Sequence, residues 1–332
     1  MANKFFENSL NRISQPTPPI WFMRQAGRYH SHYNKLKEKY TFEQLCKNPE
    51  LASDVACGPI QEFDFDVAIL FSDILFLLEG LGMPLKFSPG PIFEEHIRQE
   101  NYQQYANIDK AIEHMEFQRN AITLTREKLP NSKSLIGFVG GLWTLLCFAI
   151  NKKNQPFQIE DFHFYFMKET LLPLIKRNIQ LQLDAGAEIV MIFDSSLGQL
   201  SFQLYKSQYI SFIKELAETF PNQLGYYCRG KSKAEIELLF PFSFAGLGID
   251  HQIDITNFLS NYNNGFIQGN FDETKMLIDK ESLSKEIHAY CDHIESSNTT
   301  AGWICGLGHG INKKTPEENV HLFIDIIRKR FQ

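Results

Sequence analysis

Eight short runs of β-branched, aliphatic and aromatic residues recur along this chain, separated by longer stretches with helical periodicity. The runs are Ile20–Met23, Val67–Phe71, Ser134–Val139, Glu188–Phe193, Gln223–Cys228, Phe244–Ile249, Gly265–Gln268 and Thr300–Cys305. Helical patterns fall between them over Phe42–Phe63, Asp109–Leu129, Ile159–Ala185, Ser207–Phe220, Ser232–Phe240, Ser282–Ser296 and Pro316–Phe331. Strands that alternate with helices build a parallel sheet, because each helical crossover returns the chain to the same end of the sheet. Eight such units predict an α/β fold of one kind, the closed (β/α)8 TIM barrel. A chain of 332 residues suffices for one barrel, and nothing between Ala106 and Gln158 reads as a linker. The expectation is therefore a single domain over 1–332, with a doubly wound two-domain fold as the alternative.

A barrel of this kind carries its chemistry on the loops after the carboxyl ends of its strands. The polar residues of the sequence fall there. Arg24 follows the first run, Ser72 and Asp73 the second, Trp143 and Thr144 the third, and Asp194 and Ser195 the fourth. Arg229, the pair Asp250 and His251, Asn270, and His309 follow the remaining four in turn.

The formal charge of −6 gives no general attraction to nucleic acid or anionic lipid, so neither is expected as a partner. Any anionic ligand must be held by a local basic cluster. Six scattered cysteines without a C-x-x-C pair suit free thiols in a reducing cytoplasm. The start from Met1 to Glu7 has no apolar signal core, and the apolar stretches Val67–Leu78 and Ile136–Ile150 are shorter than the roughly 20 residues a membrane span needs.

The basic cluster is found at Pro19-Ile20-Trp21-Phe22-Met23-Arg24-Gln25-Ala26-Gly27-Arg28-Tyr29. Two guanidinium groups either side of a small flexible pair can converge on carboxylates, although spacing alone leaves a solvated surface loop equally open. Asp73 is an acid inside the apolar run Ala68-Ile69-Leu70-Phe71-Ser72-Asp73-Ile74-Leu75. A carboxylate so placed needs a polar cavity, a cation or N–H donors, and capping the next helix is its alternative reading. Ser195 has the same alternative, and His309 between two glycines is either a ligand-facing group or a loop histidine without a role.

The whole run M-R-Q-A-G-R over residues 23–28 resembles the first signature of the uroporphyrinogen decarboxylases. So do Phe71-Ser72-Asp73-Ile74-Leu75, Gly137-Phe138-Val139-Gly140-Gly141-Leu142-Trp143-Thr144, Phe193-Asp194-Ser195, Gly248-Ile249-Asp250-His251, Gln268-Gly269-Asn270-Phe271-Asp272 and Leu307-Gly308-His309-Gly310, all in family order. That resemblance implies removal of carbon dioxide from the four acetate side chains of uroporphyrinogen III, giving coproporphyrinogen III, without metal or organic cofactor. It further implies Asp73 and Arg24 as catalytic residues, and a tetrapyrrole held by Arg24, Gln25, Ala26, Gly27, Arg28, Asp73, Phe148, Ser195 and His309. A cytoplasmic homodimer is implied as well.

Several positions depart from the family pattern. Leu142 stands in place of proline, Phe148 in place of a substrate-contacting tyrosine, Lys37 in place of arginine, His251 in place of tryptophan, and Asn151-Lys152-Lys153-Asn154 in place of a glycine-rich loop. Two other classes of function stay open: a paralogue that binds porphyrinogen without turning it over, and, since the family resembled has such relatives, a zinc-dependent corrinoid methyltransferase. The second class needs a His-x-Cys pair where this chain has Tyr226-Tyr227-Cys228, so its zinc site would lack a ligand.

Overall fold

The computed structural model describes residues 4–153, 155, 157–297 and 299–332. Asn154, the last residue of the altered loop, and Met1 to Asn3 at the amino end lie outside the described residues. Seven parallel strands form one curled sheet in the order β1 (Val67–Ile69), β4 (Ser134–Gly140), β5 (Val190–Asp194), β6 (Leu224–Cys228), β7 (Gly246–Gly248), β8 (Phe266–Phe271) and β9 (Trp303–Leu307). A separate two-stranded hairpin, β2 (Leu85–Phe87) and β3 (Pro91–Phe93), follows the first of them. Each run expected from the sequence supplies one element. The hairpin was not expected, because a Pro-Gly turn between such short strands leaves little periodicity.

The eighth element closes the barrel without forming a full strand. Ile20 bridges to Cys305 in β9, with Cys305 N–H donating to Pro19 O at 2.8 Å and Trp21 N–H to Cys305 O at 3.2 Å. On its other side Asp66 N–H donates to Ile20 O at 3.0 Å, and Ile20 N–H to the Asp66 carboxylate at 2.9 Å. Prolines at 16, 18 and 19 have no N–H to offer a longer ladder. The side chain of Gln25 supplies a rung instead, donating from Nε2 to Val67 O at 2.8 Å and accepting from Phe22 N–H at 3.1 Å.

Side chains from alternate positions fill the barrel. Trp21, Met23, Val67, Ile69, Ile136, Met191, Phe193, Tyr227, Phe266 and Ile304 form one buried inner cluster. Phe6, from the helix Lys4–Leu10, joins it against Phe266 with ring centroids 6.1 Å apart. Arg12, just after that helix, donates to Gly265 O at the start of β8, so the amino-terminal segment covers the amino ends of the strands. The carboxyl ends are left as the open mouth. Glycines make room inside: a Cβ on Gly246 would stand 2.3 Å from the ring of Phe266.

The helices lie outside, and proline sets some of their boundaries. The long pattern over Phe42–Phe63 divides at Asn48, whose side chain caps the helix Pro49–Phe63 by accepting from Leu51 N–H. The pattern over Ile159–Ala185 runs through a π-helical turn at Met167–Leu171 immediately before Pro173, where the ring removes a donor. All six cysteines are buried free thiols.

Candidate active site

Met23 ends the closing segment, and Arg24 then takes a left-handed backbone conformation with φ 65°, which turns the chain sharply across the mouth. Gly27 follows because a side chain there would press on Arg24 O at 3.1 Å. The β9 loop docks on this turn through Ile311 N–H donating to Met23 O at 3.0 Å. The stem of Arg24 lies directly over Gly310, where any Cβ would stand 2.5 Å from Arg24 Cδ. The first and last loops of the barrel are thus fitted to each other, and Arg24 and His309 share the same corner.

Asp73 sits in the loop after β1, half-buried, with Oδ1 accepting from Leu75 N–H at 2.9 Å. The next helix, Phe76–Gly80, begins after Leu75 and takes no side-chain cap, so Asp73 forms a two-residue turn and does not cap that helix. Burial pushes its carboxyl pKa up, against the Leu75 N–H and the charges of Arg24 and Lys153. Arg24 in turn is lowered by burial, with Asp73 opposing. The two groups therefore act on one another's charge at the mouth, without an ion pair between them.

His309 is half-buried, and burial, followed by the positive charges of Arg24 and Arg229 and the nearby His251, lowers its pKa to about 3. It is neutral at physiological pH. Arg229, after β6, lies 4.0 Å from Glu273, whose other oxygen is 3.1 Å from His251 Nδ1. A short-range ion network therefore rims the side of the mouth next to His309.

Ser195 follows β5, half-buried, and its hydroxyl meets no hydrogen-bond partner among the described residues. Its position is fixed by its neighbour. Asp194 is fully buried and accepts from Tyr226 OH at 2.9 Å, from Thr144 Oγ1 at 2.7 Å, from Thr144 N–H at 2.9 Å, and from Tyr209 OH. Burial raises the Asp194 pKa, and those hydroxyl and amide donors oppose the rise. Thr144 Oγ1 also accepts from Ser196 N–H at 3.0 Å, locking the β5 loop to the start of the helix Leu142–Ala149.

Arg28 is exposed on the first loop, with Ala26 and Gly27 half-buried beside it. Gln25 is placed differently: it is wholly buried, and both ends of its amide are engaged in closing the barrel. Phe148 lines a cavity of about 390 Å³ together with Phe93, Cys147 and Lys153. Leu142 occupies the first turn of its helix, a position that takes leucine or proline alike, so that departure costs nothing locally. Lys37 ends the helix Ser31–Lys37 and is exposed.

Two features escaped sequence reasoning. Lys153 appeared there only as part of an altered loop, yet it shares the electrostatic environment of Asp73 and Arg24. Tyr227, from the inner face of β6, holds His309 through a contact of 3.0 Å at Nδ1, which no spacing in the sequence could have signalled. Cys228 is fully buried, and burial raises its thiol. Among the described residues the one His, Cys and carboxylate group close enough for a metal is His251, Asp272 and Glu273, which contains neither Cys228 nor His309.

Comparisons with known proteins give the fold and the family. A solved methyltransferase from Methanosarcina mazei superposes with a TM-score of 0.77 at 16% identity, covering 99% of this chain and 98% of its own, which establishes the fold. The uroporphyrinogen decarboxylase of Orientia tsutsugamushi (strain Ikeda) is 33% identical over 342 residues, with 96% of each chain covered. That of Synechococcus sp. (strain JA-2-3B'a(2-13)) is 32% identical over 327 residues, covering 94% of this chain and 93% of the relative. The family profile described as Uroporphyrinogen decarboxylase (URO-D) matches residues 1–330, and the chain belongs to that family.

Proposed function

We propose that the mouth binds uroporphyrinogen and that the chain catalyses loss of carbon dioxide from its acetate side chains. The observation that carries this reading is the placement of Arg24 and Asp73 on loops at the same mouth, where each acts on the other's charge. The substrate supplies its own electron sink. Once a pyrrole is protonated on the α-carbon next to the ring carbon that bears CH2–COO⁻, positive charge reaches the acetate-bearing carbon, the bond from CH2 to the carboxylate breaks, its electrons form an exocyclic methylene on the ring, and carbon dioxide leaves. A second proton converts the remaining methylene to methyl as the ring proton returns to solvent.

In this scheme Asp73 accepts hydrogen bonds from the pyrrole N–H groups and stabilises the positive charge that develops on the ring. Its raised pKa fits that task, because a carboxylate held without a full partner gains most when a cation forms beside it. Arg24 grips the reacting acetate, and Arg28 and Ser195 hold other carboxylates through charge-assisted and neutral hydrogen bonds. His309, neutral, offers one ring nitrogen to a carboxylate from its corner. Ala26 and Gly27 present backbone N–H groups without bulk, and Phe148 packs against the ring system. Gln25 serves the loop's geometry and not the ligand.

A homodimer working in the cytoplasm accompanies this reading, supported by family membership alone. No helix among the described residues is long and apolar enough to cross a membrane. The deciding experiment is anaerobic incubation with uroporphyrinogen, followed by chromatography of the oxidised porphyrins. Products with fewer carboxyl groups are expected from the wild-type chain. Asp73→Asn should slow their formation by about 10²-fold or more, the range seen when a preorganised charge-stabilising group is removed. Near-normal turnover by Asp73→Asn would overturn the electrostatic role, and tight binding without any product from the wild type would favour a porphyrinogen-binding protein.

A further inference from the structure

Among the described residues Lys153 is a cation without a counter-ion. Its neighbour Lys152 donates N–H to Cys147 O at 2.7 Å, and its own carbonyl oxygen accepts from the Gln199 side-chain amide. Its ammonium stands 4.5 Å from the centroid of the Phe148 ring. Among the described residues no carboxylate lies within ion-pair distance of it. The pair borders the cavity of about 390 Å³ that also reaches Phe93, His96 and Asn151.

Its charge is nevertheless felt across the mouth. Burial lowers the Lys153 pKa, Arg24 lowers it further, and Asp73 opposes both. Two cations that repel each other, with one carboxyl group opposing that repulsion, leave a site short of negative charge. An arriving carboxylate reverses the repulsion and replaces a weak ring contact by a stronger, charge-assisted hydrogen bond.

We propose that Lys153 is a substrate-binding residue that holds one carboxylate of the macrocycle above the face of Phe148, beside Asp73 and Arg24. This rests on the decarboxylase reading. On it, the ammonium brings a donor to the ring that has none of its own, so a hydroxyl added to Phe148 finds its place already served. Lysine suits a contact that must follow differently substituted rings, since its point charge on a flexible stem tolerates more geometries than a guanidinium fork.

The test compares wild type, Lys153→Met, Lys153→Arg, Phe148→Tyr and the double variant Lys153→Met/Phe148→Tyr. Two readouts are used: anaerobic turnover of uroporphyrinogen, and equilibrium binding of oxidised uroporphyrin, an octacarboxylate that is not turned over. Lys153→Met should raise KM and weaken uroporphyrin binding by about fivefold or more with kcat within about threefold, the loss of one charged hydrogen bond. Lys153→Arg should stay within about twofold, and the deficit of Lys153→Met should shrink as salt screens the charge. Phe148→Tyr should recover part of the loss in the double variant. Binding and KM of Lys153→Met within about twofold of wild type, with an unchanged Tm, would overturn the proposal. If the wild type gave no decarboxylated product the functional reading would fail, and uroporphyrin affinity would still decide whether Lys153 holds a carboxylate.

Discussion

The phenol of Tyr227 lies stacked on the imidazole of His309, with ring centroids 5.9 Å apart and planes 17° from parallel. Its hydroxyl stands 3.0 Å from Gly308 O and also 3.0 Å from His309 Nδ1. One hydroxyl has one proton to give. When it goes to Gly308 O, Nδ1 must carry the imidazole proton, and Nε2 is left a bare acceptor. When it goes to Nδ1, Nε2 carries the proton and donates. A carboxylate at Nε2 selects the second arrangement, so on the proposed reading Tyr227 sets the tautomer that His309 offers a ligand.

Tyr227→Phe removes that control while keeping the ring. The expected loss is on the order of 1 kcal/mol in binding, roughly a fivefold rise in KM with little change in kcat. Nitrogen-15 NMR of the histidine ring should show a mixture of tautomers in the variant and a shift toward the Nε2–H form when uroporphyrin is added to the wild type. No change in either measurement would make Tyr227 a packing residue only.

His309 also links stability to pH. Its folded pKa, about 3, lies below the ordinary value of 6.5 because of burial and the neighbouring cations. Between those two values the unfolded chain binds a proton that the folded chain refuses, so this contribution to stability is complete above the unfolded pKa and is lost as pH falls toward the folded one. His309→Gln should therefore flatten the acid side of the urea-unfolding profile below about pH 6.5. A variant profile parallel to wild type there would show that His309 titrates normally.

Much of this was legible in the residues, and the rest was hidden for identifiable reasons. The eight β-rich runs gave the barrel, since period and spacing encode alternation. Arg24, Asp73, Ser195 and His309 all stand at strand ends, where that architecture puts its chemistry. Gln25 was placed among ligand-binding residues on its neighbours' account; its side-chain amide bridges Phe22 N–H and Val67 O, a tertiary engagement that no local pattern reveals. Asp194 was visible as a strand-end acid, yet its burial under Tyr209, Tyr226 and Thr144 depends on partners from three separate segments. Lys153 was hidden because a lysine in an irregular loop has no periodicity to betray its direction.

Gly141 shows how tightly the Asp194 cluster is built. A Cβ there would stand 2.3 Å from Asp194 Cγ and 2.5 Å from Asp194 Cβ, next to the strand backbone and without room to yield. Gly141→Ala should therefore lower stability by about 1–3 kcal/mol, the cost of overpacking, and more if it breaks bonds to the buried carboxylate. Denaturant unfolding checks this, and a midpoint equal to wild type would show that Asp194 can move aside.

Gly310 offers the opposite case, a glycine whose neighbour is free to move. An added Cβ would meet Arg24 at Cδ, 2.5 Å away, and at Nε, 2.9 Å away, and both atoms belong to a flexible side chain that faces solvent. Gly310 also has no positive φ to make alanine strained. The side chain of Arg24 should swing out while the barrel stays intact, so Gly310→Ala should leave Tm nearly unchanged. Turnover should suffer, because the guanidinium no longer lies where the reacting acetate must be held, and a misplacement of about 1 Å costs on the order of 10²-fold when orientation is what the group supplies. Arg24→Ala, which deletes the same group outright, should then gain little further loss when Gly310→Ala is added. Additive losses in the double variant would mean that Gly310 acts on turnover by a route other than Arg24.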